Sequence, residues 1–109
     1  MLSVENLETI NRGVIVVIPK MPFYDWVNKL DPENPVNPSD FEEHNSYLVR
    51  DNIDDLEKLI KKYYKIIFEN ECFGMWTDPD DWPEKMTLNL FQKWFDYHIS
   101  SVVYDLEVG

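Results

Sequence analysis

With 109 residues, 44% hydrophobic and 15% aromatic, the chain suits one ordinary domain and is too apolar to be disordered by composition. Its 21 Asp and Glu against 10 Lys and Arg leave a formal net charge of −11, which disfavours nucleic acid and anionic membrane surfaces as partners and favours a basic one. The one cysteine, Cys72, excludes an internal disulfide and suits a reducing compartment.

Residues 1–11 are polar and mixed and read as a flexible N-terminal arm, leaving 12–109 as a single α+β domain. No basic region followed by an apolar run opens the chain, and the longest apolar run, Val14 to Ile18, is far too short to span a bilayer, so a cytoplasmic location is expected. The same β-branched run, stopped by Pro19, predicts a central strand buried on both faces. Pro22 suits the first turn of a helix, Asp25 complements its dipole, and Phe23, Trp26, Val27 and Leu30 form one apolar stripe that ends near Pro32. Asp31 to Ser39, with Pro32, Pro35 and Pro38, reads as a surface loop in which Ser39 and Glu42 have capping-box spacing.

Ser46 to Arg50 predicts a second strand, and Asn52 is the expected cap of the longest helix. On that helix Leu56, Leu59, Ile60, Tyr63, Ile66 and Ile67 make the apolar face, Lys58, Lys61, Lys62 and Lys65 the solvated one, and Gly74 the C-terminal stop. Asp78 and Pro79 read as the cap and first position of a short helical turn. Thr87 caps a last helix carrying Leu88, Phe91, Trp94, Phe95 and His98 on one face, and the β-rich Ser101 to Leu106 predicts a third strand. The expected architecture is a small three-stranded sheet with helices packed on one face, in the order β-α-β-α-α-β.

Glycine-rich phosphate loops, paired Cys or His at metal spacing and a nucleophile elbow are all missing from the sequence, so no metal and no cofactor are expected. The acidic loop Asp78, Asp80, Asp81 lacks the alternation and glycine of a calcium loop; flanked by Trp76 and Trp82, it reads instead as a surface for binding a basic partner. Lys20, just before a helix start, is a candidate contact for a small anion, although Asp25 offsets that end. His98 on an apolar face, or His44 beside Glu42 and Glu43, is the candidate imidazole of a ligand site or general base, with a hydrogen-bonded core His98 as the plainer reading. Cys72, near a helix C-terminus and beside Glu69 and Glu71, is in the wrong field for a nucleophile.

The segments Pro19–Trp26, Ile67–Glu71, Trp76–Pro79 with Trp82-Pro83, and Trp94–Asp96 with Tyr104–Leu106 together resemble a family of small uncharacterised bacterial proteins, over about residues 12–107. The resemblance implies a bacterial cytosolic protein and carries no activity and no functional residues. The leading expectation is a small, acidic, non-enzymatic protein-binding or regulatory module, monomeric or homodimeric, that takes no nucleic acid and no membrane. An immunity-like protein neutralising a basic effector is its narrower form. The rivals are a small enzyme or small-ligand binder using His98 or His44 with carboxylates, and a homodimeric structural subunit pairing through a sheet edge or helix face.

Overall fold

The computed structural model describes residues 3–50 and 55–107. Two strands come first, β1 (Glu8–Ile10) and β2 (Arg12–Pro19), so part of the segment expected to be a loose arm is ordered as strand. Helix α1 (Met21–Leu30), strand β3 (Asn45–Arg50), helix α2 (Leu56–Met75) and helix α3 (Leu88–Trp94) follow, and the described chain closes with β4 (Phe95–Ser100) and β5 (Val103–Asp105). The result is an α+β fold with two sheets: a three-stranded one ordered β3-β2-β4 and a two-stranded ribbon of β1 with β5, antiparallel throughout.

The β-branched run is the central strand, as its composition predicts, but only one of its faces is sealed. Ile15 and Val17 are wholly buried, while Val14, Val16 and Ile18 alternate with them half-buried on the other side. The sealed face meets an aromatic core. Phe23 of α1, Phe68 of α2, Phe91 of α3 and Phe95 of β4 are all at most 2% exposed, and Phe95 sits 5.1 Å from both Phe23 and Phe91 and 5.4 Å from Phe68 between ring centroids. Tilted and edge-on rings at these spacings each add about 0.5–1.5 kcal/mol beyond their burial.

Helix α1 ends at Leu30 as Pro32 requires, but begins at Met21, which puts Asp25 beyond its first turn. The proline loop is tied to α1 by one residue. Asn28 Nδ2 donates to the Val36 carbonyl and the Val36 N–H donates back to Asn28 Oδ1, both at 2.8 Å. The capping box in this loop belongs to Asn37 and Asp40, around a turn of 3-10 helix at Pro38–Asp40, and not to Ser39 and Glu42. On α2, Asp55 is the cap, accepting from the N–H groups of Glu57 and Lys58; the expected cap Asn52 lies outside the described residues. Ile66, assigned to the apolar face, is 63% exposed, and the buried stripe runs instead through Leu59, Ile60, Ile67, Phe68, Glu71 and Cys72. Gly74 does not terminate α2, which continues to Met75 and stops at an extended Trp76.

The largest departure from the sequence reading lies at the C-terminal end. Thr87 caps α3 as expected, accepting from Leu90 N–H, but the helix stops at Trp94 and Phe95 is already extended. The third strand of the main sheet is therefore Phe95–Ser100, which moves His98 from a helix face to a strand. Only Val103–Asp105 of the predicted terminal strand forms, and it joins the ribbon with β1 rather than the main sheet. The molecule is elongated. Its extents are 52 × 31 × 20 Å and its Cα radius of gyration is 16.7 Å, against roughly 13 Å for a compact chain of about this size. Among the described residues no helix is long and apolar enough to cross a membrane.

Candidate functional site

The C-terminal end of α2, the N-terminal half of α1 and the segment leading into β3 enclose a cleft of about 270 Å³. Its walls carry Tyr24, Phe41 and Met75, and its polar side chains include Glu43, His44, Asn45 and Glu71. Tyr24 and Phe41 stack at 5.8 Å with an interplanar angle of 24°, giving the cleft one continuous aromatic wall.

Glu71 decides the character of the site. It is the one charged residue among the buried set, 5% exposed, and it occupies a position of the α2 stripe where an apolar residue is expected. A carboxylate held this far out of water is costly unless hydrogen bonds compensate. Two do: Asn45 Nδ2 donates to Glu71 Oε2 at 2.6 Å, and the Tyr47 hydroxyl donates to the same oxygen. Asn70 Nδ2 in turn donates to the Tyr47 hydroxyl at 3.0 Å, fixing the phenol's orientation. Both donors use Oε2. Oε1 accepts no hydrogen bond among the described residues, and Glu71 lines the cleft. Burial foremost, then the charges of Glu71 and Asp40, raise the pKa of Tyr24, so the wall beside this carboxylate stays an uncharged phenol.

An open carboxylate oxygen, a second carboxylate on the rim and aromatic faces alongside are the elements that hold an organic cation. The volume suits a side-chain terminus or a small amine and is below the range usual for drug-sized ligands.

Of the residues singled out in the sequence, His44 is in this cleft, exposed, with no hydrogen bond or ion pair to a carboxylate among the described residues. His98 is elsewhere. It lies opposite Val16 on the exposed side of β4 and is not a core histidine. The two imidazoles are not brought together. The Lys20 ammonium donates to the Gln92 carbonyl at 2.9 Å and lies 3.6 Å from Asp96 Oδ1, while its N–H donates to the Trp94 carbonyl at 2.7 Å. Lys20 therefore ties α1 to the α3–β4 junction.

The Trp76–Trp82 loop is bound to itself. Asp78 caps the turn Pro79–Asp81 as expected, accepting from Asp80 N–H at 3.0 Å. The Trp76 indole donates to Asp81 Oδ2 at 2.9 Å, the Trp82 indole to the Trp76 carbonyl at 2.7 Å, and the Trp26 indole to the Asp81 carbonyl at 3.0 Å. Trp82 also packs against the core. The donors of these tryptophans are thus engaged within the chain, and Asp81 is an internal acceptor. Among the described residues no three His, Cys, Asp or Glu side chains cluster so as to hold a metal ion. Cys72 is wholly buried, and burial first, then Glu71 and Glu69, push its thiol up to about 12.

In the sequence Glu71 reads as an acidic neighbour of Cys72 and not as a site residue. The signal was present: Glu71 falls four residues after Ile67, inside the apolar stripe. No family model, curated protein or solved structure matches this chain.

Proposed function

We propose that the protein is a small acidic binding module whose cleft receives a cationic group, presented as a lysine or arginine side chain by a basic partner protein. The observation that carries this reading is Glu71: a nearly buried carboxylate that lines the cleft, with one oxygen held by Asn45 and Tyr47 and the other without a hydrogen-bond partner among the described residues. The net charge of −11 supports it from a distance, since a negative field draws a basic partner in and speeds encounter. The aromatic wall supplies a face against which an ammonium or guanidinium can rest. A partner that supplies the cation at the end of a side chain also explains why a shallow volume suffices, because the rest of the affinity comes from the surface around it.

The test is a titration of the isotope-labelled chain with lysine-containing and arginine-containing tripeptides and with their glutamine-containing counterparts, read by amide chemical shifts. Shifts confined to Tyr24, Phe41–Asn45 and Glu71–Met75, seen only with the cationic peptides and lost in Glu71→Gln, are expected. Equal shifts from the neutral peptides, or an unchanged response in Glu71→Gln, would overturn the reading.

The second reading, a small-ligand binder or enzyme, draws on the presence of His44 and Glu71 in one cleft. In that case a free amine in place of the peptide binds as well, and His44→Gln removes turnover of whatever substrate is found while leaving its binding intact.

A further inference from the structure

Strand β3 is an edge strand. It pairs only with β2, and among the described residues Asn45–Arg50 makes no other backbone hydrogen bond. A groove of about 530 Å³ is lined by Leu48 and Arg50 of this strand, by Arg12 of β2, and by Tyr63, Ile66 and Ile67 of α2. Open edges with apolar side chains invite pairing and are usually blunted. This one is not covered by any described residue, and Leu48 is 59% and Ile66 63% exposed.

The charge of the groove runs against that of the chain. Arg12 and Arg50 are the only arginines present, they stand directly opposite each other in the β2–β3 register, and both line the groove. Like charges directly opposed across a ladder cost stability, and among the described residues neither forms an ion pair. Lys62, with its ammonium 5.1 Å from the Tyr63 ring centre, adds a cation on the helix side. On a chain of net charge −11, this edge concentrates positive charge.

We propose that the free edge of β3 binds an extended segment of a partner protein in which acidic and apolar residues alternate, added as a fourth strand. Strand geometry dictates the alternation. Tyr47 and Val49 share the face of Ile15 and the core, whereas Leu48 and Arg50 share the face of Arg12 and Val14. A strand laid beside β3 turns every second side chain toward Tyr63 and Ile66 of α2, where apolar groups fit. It turns the others toward the two guanidiniums, where carboxylates fit bidentately. The groove lies on the other end of β3 from the Glu71 cleft, joined to it through the Tyr47–Glu71 hydrogen bond, and takes a partner segment of opposite charge to the one proposed there.

The test pans a display library of random octapeptides against the folded full chain, then measures the enriched peptides by fluorescence anisotropy and amide hydrogen exchange. Enrichment of alternating acidic and apolar sequences is expected, with protection of amides in Tyr47–Arg50 on binding. Arg12→Glu with Arg50→Glu should weaken binding at least tenfold, and Ile66→Gln several-fold at an exposed position that leaves folding intact. Enriched peptides without the alternation, unaltered binding in the Arg12→Glu/Arg50→Glu chain or in Ile66→Gln, or no new protection in Tyr47–Arg50, would each overturn the proposal. No enrichment would overturn it too. If light scattering then showed a concentration-dependent dimer that protects the same amides, the edge would belong to a second copy of the chain.

Discussion

Tyr47 and Glu71 form one polar unit across the boundary between sheet and helix: the phenol of β3 donates to the buried carboxylate oxygen of α2 that Asn45 also holds. The arrangement spends both donors on one oxygen. Removing the phenol hydroxyl leaves Asn45 as the one donor to a nearly buried carboxylate. Tyr47→Phe should therefore cost about 1.5–3 kcal/mol, the range for hydrogen bonds to charged groups, measured as a drop in the urea midpoint with an unchanged denaturant slope.

Asp81 ties the loop between α2 and α3 through its side chain and its carbonyl, to Trp76 and Trp26 respectively. Asp81→Ala removes only the first of these. A loss of about 1 kcal/mol is expected, together with a red shift in tryptophan emission as the Trp76 indole turns to water. An unshifted spectrum would mean that the indole is held by packing alone.

Phe95 touches the rings of α1, α2 and α3 at once. Phe95→Ala leaves a cavity between three helices and the sheet and should cost about 3–5 kcal/mol, a large share of the stability of a domain this size. Calorimetry should show a lower melting temperature, or loss of the cooperative transition.

Alkaline pH acts on buried acids. The Cys72 thiol is pushed up to about 12 from 9.0, and Tyr47 and Tyr24 are raised from 10.0, burial being the first cause for each. Below pH 9.0 the thiol is protonated in both folded and unfolded chains and nothing is lost. Above it the unfolded chain releases a proton that the folded chain retains, so stability falls as pH rises, from about 9 toward about 12 for the thiol. The urea midpoint should therefore decline between about pH 9 and about pH 11, and the native thiol should resist alkylation until the chain is unfolded.

What could be read from the sequence, and what could not, follows from how loudly each residue speaks locally. The run Val14–Ile18 has no competing interpretation, and the lysine-backed periodicity of α2 needs a helix. Phe95 to Ser100 is different. Phe91, Trp94, Phe95 and His98 keep helical spacing, while Phe95, Tyr97 and Ile99 alternate with Asp96, His98 and Ser100 at the period of a strand. No glycine or proline marks the change, because α3 passes into β4 with no linker at all. The site divides in the same way. His44 stands out on its own chemistry and does lie in the cleft, but Glu71 acquires its meaning only when Asn45 and Tyr47, from a different element, arrive beside it.

The ribbon of β1 and β5 joins Ile10 to Val103, the two ends of almost the whole fold. The main sheet already pairs Val14 with Ser100, so the ribbon closes cheaply only after that sheet has formed, and a two-stranded ribbon has little stability of its own. It should be the last piece to assemble and the first to open. During synthesis its N-terminal strand must wait, unpaired, until nearly every other residue has emerged. Until Val103–Asp105 has emerged, the backbone donors and acceptors of Glu8–Ile10 are left to water.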